Sequence, residues 1–135
     1  MRFPIQIQGI ICSKTESGNK YLFLKRKAER GGFWQPLSGG VEEGETLKSC
    51  LLRELLEETN ICDVVQVINT NFKFQFKVDD EWLTEYVFMA LLDKEILPVL
   101  SDEHEDYKWV TFREALELTK WDDNKKALEI ADKLI

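Results

Sequence analysis

Between Gly39 and Ile61 the chain reads GGVEEGETLKSCLLRELLEETNI, a segment that few folds accommodate. A glycine pair closes a short apolar stretch, an acidic loop follows, and Thr46 then opens a helix as a good N-cap residue. Leu47, Leu51, Leu52, Leu55 and Leu56 cover one broad arc of that helix, and Glu54, Glu57 and Glu58 flank it. At 100° per residue the three carboxylates fall within about 100° of arc. Like charges at these spacings cost a few tenths of a kcal/mol per pair in an isolated helix. A helix that accepts this cost is arranged for a cation, and oxygen-only ligands point to Mg²⁺ or Mn²⁺ rather than Zn²⁺.

The rest of the chain supplies strands on either side. Ile5 to Cys12 alternates as a strand, turns at Thr15 to Asn19, and pairs as a hairpin with Tyr21 to Leu24. Lys25 to Gly32 is a charged loop, and Phe33 to Leu37 a short strand leading to Gly39 and Gly40. The first helix ends near Thr59. Val64 to Val78 and Trp82 to Leu92 are two longer strands joined at Asp79-Asp80-Glu81. Ser101 to Asp106 is an acidic loop before the strand Tyr107 to Val110. Thr111 to Glu114 is a capping box opening a short helix. A last helix, about Asp122 to Leu134, is expected to bury Ala127, Ile130, Ala131 and Leu134. The order β-β-β-α-β-β-β-α fits an α/β fold with a mixed β-sheet between helices.

With 135 residues the chain is read as one domain, 1–135. No signal peptide is apparent, and no apolar run approaches the ~18 residues that span a bilayer. That excludes a membrane partner and favours a cytoplasmic protein. Cys12, Cys50 and Cys62 are odd in number and lie in apolar contexts, as reduced core thiols would. The net charge of −7 argues against nucleic acid. An acidic protein that binds polyphosphate needs divalent ions as a bridge, with Lys25, Arg26, Lys27 and Arg30 as a local basic counterweight.

The 39–61 segment resembles the Nudix box: Gly39, Glu45, Arg53, Glu54, Leu55, Glu57, Glu58 and Ile61 all fit its spacing. Six fixed positions match by chance on the order of once in 10⁷. Asn60 departs, standing where the family has a glycine just past the helix end; Asn is the next most tolerant residue for a left-handed backbone there. The resemblance implies an α/β/α sandwich and Mg²⁺-dependent hydrolysis of a nucleoside diphosphate linked to another group. It implies a small-molecule phosphoanhydride as partner, and a monomer or homodimer. It assigns the metal to Glu54, Glu57, Glu58 and the Gly39 carbonyl, with Arg53 and Glu45 holding loop and helix together.

Outside the box, the 33–46 stretch, Thr84-Glu85, Glu103-His104 before Tyr107-Lys108-Trp109, Thr119-Lys120 and Asn124 are similar to bacterial dihydroneopterin triphosphate diphosphohydrolases. That likeness implies release of diphosphate and a monophosphate from a nucleoside or pterin triphosphate. Dinucleoside polyphosphate hydrolysis, oxidised-dNTP removal and a non-catalytic nucleotide sensor are the alternatives, the sensor opposed by the intact glutamates. The acidic 102–105 loop reads from periodicity as an exposed turn. By resemblance Glu103 is an extra metal ligand or the general base, with Glu105 second. His104, the only histidine, serves loop packing, substrate contact or catalysis. Trp34 and Phe33 are either core or a stacking surface for a purine or pterin ring. Arg26 is an edge charge or a phosphate contact, and Glu85 a substrate contact. Trp82 and Trp121 read as packing.

Overall fold

The computed structural model describes residues 4–16 and 18–135. Seven strands form one sheet: β1 Ile5–Thr15, β2 Gly18–Arg26, β3 Trp34–Gln35, β4 Leu37–Gly40, β5 Gln66–Val78, β6 Glu81–Leu92 and β7 His104–Val110. The helices are α1 Leu47–Thr59, α2 Phe112–Leu118 and α3 Asp122–Lys133, with a 3₁₀ turn at Ala28–Arg30. Strand order is β3-β2-β1-β6-β5, with β4 added to β1 and β7 to β2. β1 and β6 run parallel and the other pairs antiparallel, so the sheet is mixed. The hairpin expected at the start is β1–β2, paired from Cys12↔Tyr21 to Thr15↔Gly18; Ser17 of its turn lies outside the described residues.

β1 is central because its two faces bury separate cores. Ile7 and Ile11 pack with Leu22, Leu24, Leu37, Leu51 and Leu55 under α1. Ile10 and Cys12 pack with Tyr21, Phe23, Val87 and Met89 under α2 and α3. The result is the α/β/α sandwich that alternating strands and amphipathic helices dictate. Among the described residues no helix is long and apolar enough to cross a membrane.

Several local expectations hold for the stated reasons. Thr46 Oγ1 accepts from the Ser49 N–H at 3.0 Å, and Thr111 with Glu114 closes a capping box. Asn60 adopts φ 60°, ψ 21°, and its N–H reaches the Leu56 carbonyl at 2.9 Å. Asp79 and Asp80 both have positive φ, as a two-residue hairpin turn requires.

Others are corrected. The single strand expected over 33–37 is split at Pro36, which has no N–H: Trp34–Gln35 pairs with β2 and Leu37–Gly40 with β1. Of the five α1 leucines only Leu51 and Leu55 are fully buried, and Leu52 and Leu56 face outward at 36% and 49% exposure. The sheet covers one side of the helix, less than the leucine arc. On α3 the buried residues are Ala127, Leu128 and Ala131, while Leu134 is exposed. The helix is thus rotated so that 124, 127, 128 and 131 share the inner face, which turns Asn124 toward the sheet. Cys62 is exposed rather than core; Cys12 and Cys50 are buried.

Candidate active site

Gly39 and Gly40 end β4 directly beneath α1, and the contact between the two elements admits no side chain. A Cβ on Gly39 would lie 2.2 Å from Glu54 Cδ, whereas one on Gly40 would meet nothing within 4 Å. Glycine at 39 therefore lets the Glu54 carboxyl lie on the strand backbone.

Arg53 organises the loop around this contact. Its Nε and Nη2 bind both oxygens of Glu45 at 2.7 and 3.0 Å, and Nη2 also donates to the Gly40 carbonyl at 2.9 Å. Nη1 reaches Glu54 at 2.9 Å and Glu57 at 3.2 Å. The guanidinium fork holds the Glu45 carboxyl down to about 2 and is itself held more firmly protonated. Glu54 goes the other way. Burial pushes it up to about 7 against the pull of Arg53, and the negative charges of Glu57 and Glu58 push in the same direction as burial.

Glu58 faces a different neighbour. Its Oε2 accepts from Ser101 Oγ at 2.6 Å and lies 3.1 Å from His104 Nδ1. His104 is 6% exposed, and burial holds its pKa below the ordinary value despite the carboxylate. A neutral ring that donates from Nδ1 to Glu58 leaves Nε2 as an acceptor, and Gln35 Nε2 stands 3.4 Å from it. Glu103 is not brought onto the helix carboxylates. Its side chain is half exposed, 3.8 Å from Arg30, and its N–H is 3.3 Å from Ser101 Oγ.

Among the described residues no three acidic, histidine or cysteine side chains already converge as a metal cage. Glu54 and Glu57 turn to Arg53, and Glu58 to the 101–104 loop. The donor set still fits a hard divalent ion, because Glu54, Glu57 and Glu58 supply oxygen alone and glycine at 39 keeps the strand backbone open beside them.

On the opposite face of the sheet is a cavity of about 390 Å³. Phe33, Phe74, Phe76 and Trp121 wall it; Gln6, Gln8, Ser38, Glu85 and Asn124 give it a polar floor, and Arg26 and Gln35 also border it. Phe33 meets Trp121 edge-on with ring centroids 5.0 Å apart, so Trp121, expected as packing, is a wall residue. Trp34 is absent from the lining. It packs half-buried on the α2/α3 core, with Lys108 Nζ 4.5 Å from its ring centroid. Arg26 caps the Phe33 ring at 5.8 Å, with its Nε buried and unpartnered.

Cavity and carboxylates meet at two places. Ser38 lines the first and is followed by Gly39, and Gln35 lines it and reaches Glu58 through His104. Gln6 and Gln8 carried no functional reading from sequence. Their one signal was polarity at alternate positions of a strand otherwise apolar on both faces.

Comparison with known proteins agrees with this arrangement. Residues 7–130 match the family described as the NUDIX domain. The chain is 32% identical over 133 residues to the dihydroneopterin triphosphate diphosphatase of Haemophilus influenzae, covering 89% of this chain and 83% of the relative. It superposes on the E. coli dihydroneopterin triphosphate pyrophosphohydrolase with a TM-score of 0.82 at 30% identity, covering 95% and 94% of the two chains. A C. elegans Ap4A hydrolase complex gives 0.85 at 20% identity over 98% and 97%, a likeness of fold alone. With the family pattern running through most of the sequence and its glutamates gathered on α1, the chain belongs to the Nudix family, hydrolases of phosphoanhydride bonds.

Proposed function

We propose that residues 1–135 act as one cytoplasmic, Mg²⁺-dependent diphosphohydrolase that converts a nucleoside or pterin triphosphate to a monophosphate and diphosphate. The observation that carries this reading is the junction of a heterocycle-sized aromatic cavity with three helix carboxylates, through Ser38–Gly39 and through Gln35–His104–Glu58. The relatives named for dihydroneopterin triphosphate, one aligned over 89% of this chain, support the substrate class. Nudix members generally depend on a divalent metal. Here Glu54, Glu57, Glu58 and the Gly39 carbonyl would hold Mg²⁺, or Mn²⁺ in its place, which when bound neutralises phosphate charge and acidifies water.

This chain's own residues do the remainder. The heterocycle lies against the aromatic wall that Phe33 and Trp121 form edge to face, and the Arg26 guanidinium at the cavity border receives phosphate oxygens. Arg53 fixes Glu45, Glu54 and Glu57 in one web, so that the helix and the Gly39 loop move as a unit. Water attacks phosphorus, the bridging P–O bond breaks, and diphosphate leaves. Glu103, whose backbone N–H is tied through Ser101 to Glu58, takes the water proton once its half-exposed carboxylate turns from Arg30 to the site.

The three free cysteines support a reducing compartment. The test is an ion-pair chromatography screen over nucleoside triphosphates, a pterin triphosphate, dinucleoside polyphosphates and sugar nucleotides. Turnover confined to the last two groups would reject the triphosphate assignment.

A further inference from the structure

The cavity floor is more specific than its aromatic walls. Sheet register places Glu85 beside Gln6 on one side and Phe74 on the other, with Gln8 beside Ser38 one pair further along β1. Gln8 is 1% exposed and Glu85 5%, unusual burial for polar side chains in a central pair of strands.

Their hydrogen bonds are incomplete in complementary ways. Gln8 Oε1 accepts from Asn124 Nδ2 at 3.0 Å, which fixes the amide and leaves Gln8 Nε2 buried without a partner. Glu85 has one partner among the described residues, Ser38 Oγ at a long 3.4 Å. A buried donor left unpaired is costly, so these groups are built to be completed by something else. The floor holds one buried, unpaired donor, on a residue that lines the cavity, and, nearby, a carboxylate with acceptor sites to spare. The flat aromatic walls admit a planar ring edge-first onto it.

Resting on the reading that the cavity takes the substrate heterocycle, we propose that this floor reads the 2-amino-4-oxopyrimidine edge shared by guanine and the pterins. Glu85 accepts from the ring N–H and the 2-amino group, and Gln8 Nε2 donates to the 4-oxo oxygen. Asn124 holds Gln8 in the donating orientation and is a positioning residue. Adenine presents the wrong order: its unprotonated ring nitrogen would face the carboxylate, and its amino group has no partner at Gln8. Hypoxanthine keeps the oxo group and ring N–H but loses the 2-amino group, and with it one charge-assisted hydrogen bond. The burial that raises the Glu85 pKa to about 7 is offset once two N–H donors face the carboxylate, so a ligand with this edge holds it ionised.

The test uses the full chain with Mg²⁺ and non-cleavable α,β-methylene triphosphates of guanosine, inosine and adenosine, with affinities from titration calorimetry. Guanosine is expected to bind about 10-fold more tightly than inosine and about 100-fold more tightly than adenosine. In Glu85→Gln the new amide pairs with the adenine ring nitrogen and amino group, so the guanosine-to-adenosine ratio should fall at least about 10-fold. Equal binding of the three analogues by the unaltered protein overturns the proposal without any variant, and so does an unchanged ratio in Glu85→Gln.

Competition by free neopterin and free guanosine separates the two sources of the edge: displacement by one alone names the ligand, and displacement by neither overturns the proposal. Because these readouts need no turnover, base selectivity in a protein that cleaves no triphosphate rejects the hydrolase reading alone. Cleavage without selectivity rejects this inference alone.

Discussion

Replacing Gly39 with alanine adds one carbon at the point where β4 and the carboxylate-bearing helix α1 touch. That carbon would sit 2.2 Å from Glu54 Cδ and 2.6 Å from its Oε1, against an ordinary contact of 3.4 Å or more, so the carboxyl must retreat by about 1.2 Å. Gly39 lies outside the positive-φ region, so the backbone accepts alanine without strain. The displaced atoms are the end of a flexible side chain, and a stability change within about 1 kcal/mol follows. A reacting group misplaced by about 1 Å costs on the order of 10²-fold in rate, or about 2.7 kcal/mol of barrier. Gly39→Ala should therefore fold, melt near the parent temperature and lose about 100-fold in kcat. Gly40→Ala is the internal control, because its Cβ meets nothing within 4 Å and the carbonyl that binds Arg53 is retained. Steady-state kinetics on both variants, with thermal melts alongside, decide the matter. Full kcat in Gly39→Ala, or equal losses in the two, would refute the claim that Glu54 must lie against the strand.

Three further outcomes follow from single contacts. Asn60→Gly should be neutral or stabilising, whereas Asn60→Val at φ 60° should cost roughly 1 kcal/mol or more in urea melts. Glu85 titrates at about 7 in the fold against an ordinary 4.5, so the folded state holds the extra proton between those values. Stability contributed by this group is full below pH 4.5 and falls by up to about 3 kcal/mol as pH rises through 7. Glu85→Gln should flatten that part of the pH dependence of the urea midpoint. Ser101→Ala and His104→Gln each remove a partner of Glu58 and should weaken Mn²⁺ binding by about 10-fold in calorimetric titration. Unchanged affinity in both would show that Glu58 is not a ligand.

What could be read from the chain depended on whether function was written locally. Arg53, Glu54, Glu57 and Glu58 announce themselves because one helix turn brings them together, and Thr46 and Asn60 mark the helix ends by backbone chemistry alone. The aromatic-walled cavity is different. Gln8 and Asn124 are 116 residues apart in sequence, and only the rotation of α3 set by Ala127, Leu128 and Ala131 brings them together. Trp34 and Phe33 were both candidates for stacking, yet Trp34 begins β3 and Phe33 precedes it, so their side chains go to different surroundings. Phe33 reaches the cavity and Trp34 the core. Likewise the acidic loop offered three carboxylates and a histidine, and the buried place beside Glu58 went to His104. A neutral imidazole can be buried there at far less cost than another carboxylate.

The most direct measurement is the identity of the first product. A guanosine or pterin triphosphate incubated with the protein and Mg²⁺ and followed by ³¹P NMR should give diphosphate and a monophosphate in equal amounts. In ¹⁸O-labelled water, the label should enter the monophosphate and leave the departing diphosphate unlabelled. Excess chelator, or Glu57→Gln in a protein that still folds, should suppress both signals by orders of magnitude. Orthophosphate as the first product, or undiminished turnover in chelator, would contradict the assignment of this site.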